Sequence, residues 1–186
     1  AEGSTRSSAF TEFEKSARVM SKYLQTHGIP EKEITLSSVD ISKRTKDFWD
    51  EDSRKYVTLE NGYSVSQTFT VSSNELKRVE GVYQRISELY NSGMDFSSEK
   101  PLYYYTKLND LKMEMLNQAS ANAYERAQTI AKGSDSKVGS VVSSTMGVFQ
   151  IVGLNSDEDY SWGGTFNTSS KEKVASITVK TTYRVK

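Results

Sequence analysis

Alanines recur at every fourth position in the second half of the chain. Residues four apart lie on one face of an α-helix, so this spacing predicts a helix over about residues 109–132. The predicted buried face carries, in order, Leu108, Leu111, Met115, Ala119, Ala123, Ala127 and Ala131. A ridge of small side chains lets a helix lie close to a sheet or to another helix. This helix therefore requires a closely packed partner within the fold.

The residues after this helix fit either a phosphate-binding loop or a helix end. Gly133, Lys137, Gly139 and Ser140 have the residue types of a loop that holds phosphate. Such a loop connects a strand to a following helix, because the N–H groups at a helix N-terminus bind the anion. Here the glycines follow a helix, whose carbonyl end carries the negative dipole charge. The sequence therefore predicts a helix end that leads into a strand beginning at Val138.

The rest of the chain alternates between helical and strand periodicity. Apolar residues spaced three and four apart predict helices over residues 8–27 and 76–93. Strict alternation of apolar and polar residues predicts a half-buried strand over residues 62–71. Further strands are predicted at residues 34–42, 101–106, 138–153 and 173–185. Residues 43–56 read as a polar connection, and residues 153–173 as an exposed loop.

The predicted order is helix, strand, strand, helix, strand, helix, strand, strand. It indicates an α+β fold in which three helices pack on a mostly antiparallel sheet. With one strand before the first helix, a ferredoxin-like β-α-β-β-α-β unit would be complete, followed by α-β-β. At 186 residues, a single domain over residues 1–186 is expected.

Composition argues against several classes of function. Lys plus Arg and Asp plus Glu both number 24, and no long basic block occurs, so no nucleic-acid partner is expected. The absence of Cys excludes disulfides, thiolate metal sites and cysteine nucleophiles. No apolar run approaches the roughly 18 residues that cross a bilayer. No motif predicts a cofactor.

His27 and two acidic triplets are the candidates for catalysis or metal binding. His27 is the only histidine and lies in the last turn of the first predicted helix, where it can interact with the helix dipole. No serine lies in a nucleophile-elbow context. The triplets at residues 50–52 and 157–159 lack the ligand spacing of an EF-hand, so solvated loop charge is expected. The sequence therefore predicts a protein that is not an enzyme.

Aromatic side chains in polar segments are the candidate interaction residues. The set comprises Phe48, Trp49, Tyr103, Tyr104, Tyr105, Tyr160 and Trp162. In a strand over residues 101–106, the middle tyrosine would face away from its neighbours, which makes one face strongly aromatic. Aromatic residues in polar loops are frequent binding anchors. The alternative is that each ring folds back over an edge of the sheet.

Several short motifs occur in a characteristic order along the chain. Gly28 and Ile29 end the first helix, Gly62 and Tyr63 open the alternating strand, and Gly93 ends the next helix. The alanine-spaced helix then runs into a Lys-hydrophobic-Gly strand start, at Ala123, Arg126, Ala127, Ala131, Lys137, Val138 and Gly139. In this order and over nearly its whole length, the chain resembles the SIMPL family of bacterial secreted or periplasmic proteins.

The chain departs from the family pattern in two places. The family's opening strand, which usually carries Gly and Pro-Asp, is missing, so the N-terminal part has been trimmed or has diverged. The family glycine two residues before Lys137 is Asp135 here, while Gly133 lies two positions earlier. Because Asp tolerates the left-handed conformation better than most residues, the turn is expected to persist with shifted geometry.

The resemblance implies a cellular location but no catalytic residues. Family members are cell-envelope proteins; some are linked to oxidative-stress tolerance or are immunogenic periplasmic antigens, and some form homo-oligomers. A periplasmic or secreted protein that acts through self-association or an envelope partner is therefore expected. Two alternatives stay open: a small-ligand module that uses the tyrosine-rich strand, and a hydrolase that uses His27 or an acidic loop.

Overall fold

Helix α1 begins at a cap that the sequence encodes. In the computed structural model, which describes residues 1–186, α1 spans Arg6–Thr26. The Thr5 hydroxyl accepts a hydrogen bond from the Ser8 N–H (3.1 Å), and the Ser8 hydroxyl accepts one from the Thr5 N–H (3.0 Å). This reciprocal capping box satisfies two donors at the helix N-terminus. Gly28, with a φ of 79°, follows the last turn and allows the chain to leave the helix.

The chain divides into two units, Ala1–Pro101 and Leu102–Lys186, and the single domain expected from length stays a prediction. The first unit contains β1 (Glu2–Gly3), α1, a 3₁₀ helix (Glu31–Glu33), β2 (Ile34–Leu36), β3 (Asp40–Asp50), β4 (Lys55–Ser66), β5 (Phe69–Val71), α2 (Leu76–Gln84) and a second 3₁₀ helix (Ile86–Ser92). Strands β3 and β4 pair as a hairpin, and β2 pairs with β5 beyond a break. Strand β1 pairs with the other side of β4, which leaves β3 at an edge of the sheet.

The core of the first unit joins its helices to the alternating strand. Its buried residues are Tyr23, Leu24, Ile29, Val82, Leu89 and Met94. Phe69 and Val71 of β5 pack against this cluster, and Val65 of β4 is fully buried. These three residues share one strand face because side chains alternate with a period of two. The half-buried strand predicted over residues 62–71 is confirmed, with a break between β4 and β5.

The second unit pairs one long helix with four strands. It contains α3 (Leu108–Gly133), β6 (Val138–Met146), β7 (Gln150–Gly153), β8 (Lys173–Ser176) and β9 (Val179–Val185). Strand β6 pairs with β9, and β7 pairs with β8. The tyrosine rings of Tyr124 in α3 and Tyr183 in β9 lie 5.7 Å apart. The helix therefore packs on the β6–β9 ladder.

The alanine ridge of α3 lies on its least exposed face. All seven residues of the predicted stripe are half-buried or, for Ala131, buried. The helix ends at Gly133 and β6 begins at Val138, which is the helix-to-strand order that the sequence indicated. Asp135 has a φ of 51°, so this aspartate takes the left-handed conformation within the turn.

The α+β class is confirmed, and every ladder between named strands is antiparallel. The strands form several small sheets rather than a single one, because breaks in the ladders separate β2 from β3 and β6 from β7. The helix predicted over residues 76–93 divides at Arg85 into α2 and the second 3₁₀ helix. Gly93, with a φ of 72°, ends that segment as expected.

Two strand predictions at the ends of the ferredoxin-like unit are wrong. The first strand is present in short form as β1, where the Val65 N–H also donates to the Ala1 carbonyl (2.8 Å). Residues 101–106 form no strand; the Tyr103 N–H donates to the Thr168 carbonyl (2.7 Å), and Tyr104 and Tyr105 are exposed. Aromatic residues favour a strand only where a neighbouring strand offers a surface to pack on. The tyrosine-rich stacking platform therefore lacks its strand.

Candidate functional site

A glycine divides the β3–β4 hairpin into a covered and an uncovered part. The ladder shifts between Lys43 and Thr45, where β4 contributes an extra residue beside Gly62. Gly62 has a φ of 88°, and a Cβ there would overlap the carbonyl oxygen of Gly3 in β1. Such a bulge bends a strand and ends regular packing. The part beyond the bulge, residues 45–60, is called the hairpin arm below.

The hairpin arm exposes large apolar side chains. Every residue of the arm except Asp50 is exposed. Five apolar side chains are 38% to 73% exposed: Phe48, Trp49, Tyr56, Val57 and Leu59. The prediction that Phe48 and Trp49 lie in a polar loop is wrong, because both lie in β3. Charged residues flank these two aromatics in the sequence, and consecutive residues of a strand point to opposite faces. The segment therefore lacks the apolar–polar alternation by which a strand is predicted.

One face of the hairpin arm is an apolar stripe. Phe48 pairs with Val57, and Lys46 pairs with Leu59. Directly paired residues share a face of the ladder, so these four side chains are neighbours. The Lys46 ammonium lies 5.4 Å from the centre of the Phe48 ring, within cation–π range.

The opposite face carries an aromatic pair. Trp49 pairs with Tyr56, and their rings meet edge-on with centres 5.2 Å apart. Next to them the Thr58 hydroxyl donates a hydrogen bond to the Asp47 carboxylate (2.5 Å). Both faces of the arm thus present aromatic surface that no other part of its unit covers.

The outer edge of β3 is open and its charge changes sign along the strand. As the edge strand of its sheet, β3 has backbone N–H and C=O groups that no neighbouring strand pairs. After Asp40, its first half carries the cations Lys43, Arg44 and Lys46, and its second half carries Asp47 and Asp50. Lys43 is paired with Glu60 of β4, and Arg44 with Glu2 of β1. Strand β3 is therefore more basic beside the bulge and more acidic towards the tip of the arm.

The first acidic triplet forms the tip of the arm. The Asp52 N–H donates to the Asp50 carboxylate (3.3 Å). A hydrogen bond from the Ser53 side chain lowers the pKa of Asp50, so its charge persists to lower pH than usual. No group of three or more His, Asp and Glu side chains in the chain is arranged to hold a metal ion.

The second acidic triplet does not behave as solvated loop charge throughout. The Glu158 carboxylate accepts hydrogen bonds from the Gly153 N–H (2.9 Å) and from the side-chain amide of Asn167. Asn167 is buried, and its carbonyl oxygen accepts from the Ser170 N–H (2.8 Å) and the Lys173 ammonium (3.2 Å). Burial lowers the pKa of Lys173. Glu158 therefore fastens the long loop between β7 and β8 onto the end of β7.

We expect this fastening to depend on pH through Glu158. The hydrogen bonds from Gly153 and Asn167 lower its pKa below the ordinary value of 4.5. A lowered carboxyl pKa stabilises the folded state above the unfolded pKa, and the stabilisation is lost as the pH falls through the folded value. Melting temperatures of wild type and Glu158→Gln should therefore differ at pH 7 and converge as the pH falls through the lowered pKa of Glu158.

The control for this comparison is Asp157→Asn. It removes one neighbouring carboxylate that makes no hydrogen bond or ion pair within the chain, so its melting temperature should follow that of wild type. Equal melting temperatures of wild type and Glu158→Gln at pH 7 would show that the Glu158 contacts do not stabilise the loop.

Two further aromatic candidates lie in the second unit, far from the hairpin arm in the sequence. Tyr160 and Trp162 lie on the loop between β7 and β8, and both line a groove of about 310 Å³. Trp162 is fully exposed and Tyr160 is 64% exposed. Neither ring therefore folds back onto a sheet edge.

His27 lies at the C-cap of α1 among residues of the same unit. Its Nδ1 lies 2.9 Å from the Tyr23 carbonyl oxygen, and its Nε2 lies 3.4 Å from the Glu88 carboxylate. Its ring also contacts the Tyr23 ring, with centres 4.2 Å apart. These contacts connect α1 to the second 3₁₀ helix. The expectation that the protein is not an enzyme stays a prediction.

None of the helices combines the length and the apolar character that crossing a membrane requires.

Sequence reasoning missed several residues of the hairpin arm and of the region around the β7–β8 loop. Val57 and Leu59 continue the parity of the alternating strand, so extending that pattern upstream would have found them. Gln150 and Asn167 carry no comparable signal, because a buried polar residue is identified by its partners. Those partners are brought together only in the folded loop.

Comparison with known protein families gives a match over almost the whole chain. The model of a family described as SIMPL, a protein of unknown function (DUF541), matches residues 1–185. No curated protein matches the chain.

Proposed function

Because the chain belongs to the SIMPL family over residues 1–185, we propose that it is a non-enzymatic cell-envelope protein that acts by self-association through the hairpin arm. The proposed location is the periplasm or the cell exterior, which the family resemblance implies. A role in stress tolerance is part of the same proposal. The exposed apolar arm is the observation that carries it.

A two-stranded ribbon is marginally stable in water without a covering surface. The hairpin arm is such a ribbon, and it exposes Phe48, Val57 and Leu59 on one face and Trp49 and Tyr56 on the other. Monomeric proteins rarely leave a contiguous patch of large apolar side chains uncovered. We therefore infer that a partner covers the arm in the working protein.

The charge order of β3 favours a second copy of the chain as that partner. If two β3 edges run antiparallel, the basic half of one strand lies beside the acidic half of the other. Lys43, Arg44 and Lys46 of each copy then approach Asp47 and Asp50 of the other copy. Lys43 and Arg44 would share or exchange their ion pairs with Glu60 and Glu2 on assembly. Each open edge would also supply the backbone donors and acceptors that its neighbour lacks.

The expected affinity follows from two opposing magnitudes. In an antiparallel pair of β3 edges, the Phe48 and Trp49 side chains of both copies border the new ladder, and burying each of these four contributes about 1 kcal/mol. Association costs about 4–15 kcal/mol in translational, rotational and side-chain freedom. Because these magnitudes are similar, we expect assembly that depends strongly on protein concentration.

Light scattering after size-exclusion chromatography tests this proposal, over protein concentrations from about 1 to 500 µM. Wild type should exceed the monomer mass of 20.9 kDa as concentration rises. Phe48→Glu and Trp49→Glu place a charge on opposite faces of β3 beside the new ladder and should each shift the protein towards monomer. High salt should weaken assembly if the charge order of β3 contributes.

Ile130→Glu is the matched control, because Ile130 is 72% exposed on α3 and the substitution is of the same kind. It should assemble like wild type. A wild-type chain that stays monomeric at the highest concentration would overturn self-association. In that case capture of an envelope protein that Phe48→Glu fails to capture would identify a different partner for the arm.

A further inference from the structure

We propose that the groove beside Trp162 binds a neutral oligosaccharide by stacking sugar rings on its aromatic side chains. The groove belongs to the second unit and shares no residue with the hairpin arm. Its volume of about 310 Å³ lies at the lower end of the range of small-molecule sites, about 300–1,000 Å³. The proposal is therefore independent of self-association.

The groove forms where two β-ladders are interrupted. Strand β6 pairs with β9 as far as Met146 and Val179, and the next pairs are Gln150 with Ser176 in β7 and β8. Between them, the Gly147 N–H donates to the Thr178 carbonyl (2.8 Å). The intervening peptide groups lie outside both ladders, so polar backbone groups border the groove.

A buried glutamine holds the loop backbone that carries the aromatic residues of the groove. The Gln150 side chain donates to the Ser161 carbonyl (2.7 Å) and accepts from the Thr165 N–H (2.7 Å). The Ser161 hydroxyl donates to the Gly164 carbonyl (2.7 Å), which closes the turn around Trp162. The loop is thus held on both sides of the tryptophan, which lowers the entropy that ligand binding would cost.

A glycine lets this turn approach the strand closely. Gly164 has a φ of 90°, and a Cβ there would lie 2.8 Å from the Phe149 carbonyl oxygen. Only glycine combines this conformation with this distance at low strain. The conformation of the turn at Gly164 therefore determines where the loop places Trp162.

The lining of the groove indicates the class of ligand. Side chains with charge make up 26% of the sequence, yet none lines the groove. The polar lining consists instead of Gln150 and the hydroxyl residues Ser161, Ser176 and Thr178, beside the rings of Tyr160 and Trp162. A neutral ligand avoids the cost of bringing a charge to a site without a counter-charge.

A sugar chain fits both components of this lining. The C–H bonds on one side of a pyranose ring are weakly positive and meet the negative face of an aromatic ring. Its hydroxyls can pair with the hydroxyl and peptide groups of the groove. A proline-rich peptide also stacks on aromatic rings, but it offers fewer donors to these groups.

Isothermal titration of the full chain with cellotetraose and chitotetraose, two neutral oligosaccharides, tests the proposal. We expect saturable binding to at least one of them. Trp162→Ala should weaken that binding by about tenfold or more, since stacking supplies much of the affinity. Tyr104→Ala is the matched control, because it removes an exposed aromatic ring of the same unit that does not line the groove and should leave binding unchanged.

Fluorescence gives a second measurement at the proposed site. In Trp49→Phe, Trp162 is the sole tryptophan, so its emission should change with the same saturation curve as the titration. Absence of saturable binding to either sugar up to about 10 mM would overturn the proposal. Equal affinity of wild type and Trp162→Ala, or binding of a proline-rich peptide in place of both sugars, would also overturn it.

Discussion

Gly62→Ala should lower the free energy of unfolding of the first unit by at least about 3 kcal/mol. Two effects add at this position. A φ of 88° strains any residue with a side chain, and the new Cβ would also overlap the Gly3 carbonyl oxygen in β1. Relief of the overlap requires β1 to leave β4, which breaks the hydrogen bond from the Val65 N–H to the Ala1 carbonyl.

Gly93→Ala separates these two effects. Gly93 has a similar φ of 72°, but an added Cβ would meet no atom within 4 Å. It should therefore show only the conformational strain, about 1–2 kcal/mol. Chemical denaturation compares the two variants, and hydrogen exchange of the Val65 amide reports β1 directly. Equal decreases in the free energy of unfolding in both variants would contradict a contribution from the overlap with β1.

Ile29→Ala should destabilise the first unit by about 2–5 kcal/mol. Ile29 is 1% exposed and lies in the cluster between α1 and α2, so its truncation removes buried contacts and leaves a cavity. Ile41→Ala is the control, since Ile41 is 47% exposed and its truncation should cost well under half as much.

The measurement must resolve the two units. Because the chain contains two units, a single two-state transition is not assumed. Hydrogen exchange of amides in α1 should become faster in Ile29→Ala, while amides in α3 should keep their wild-type rates. A uniform loss of protection in both helices would show that the units unfold together.

The parts of the fold that local patterns determine were predictable from the sequence. The alanine face of α3, the end of that helix at Gly133 and the inward parity of Val65, Phe69 and Val71 follow from side-chain periodicity alone. The strands at the two ends of the ferredoxin-like unit were not predictable in this way. Residues 101–106 have strong β propensity, but no neighbouring strand pairs with them in the fold.

The candidate surfaces were predictable as residue types but not as shapes. Trp49 and Trp162 stand out in a polar background, yet one lies on a paired strand and the other on a fastened loop. The position of Trp49 depends on its cross-strand pairing with Tyr56, and that of Trp162 on the contacts that Gln150 makes with its loop. No sequence pattern indicates either of these contacts. Tertiary pairing therefore had to be observed.

The bulge at Gly62 also limits how the hairpin arm can change in length during evolution. Inserting one residue into each strand beyond the bulge would rotate the tip, so that Phe48 and Trp49 exchanged faces relative to the base. Insertion of two residues into each strand keeps every side chain on its original face. Since a strand rises about 3.4 Å per residue, arms in related chains should lengthen or shorten in steps of about 7 Å.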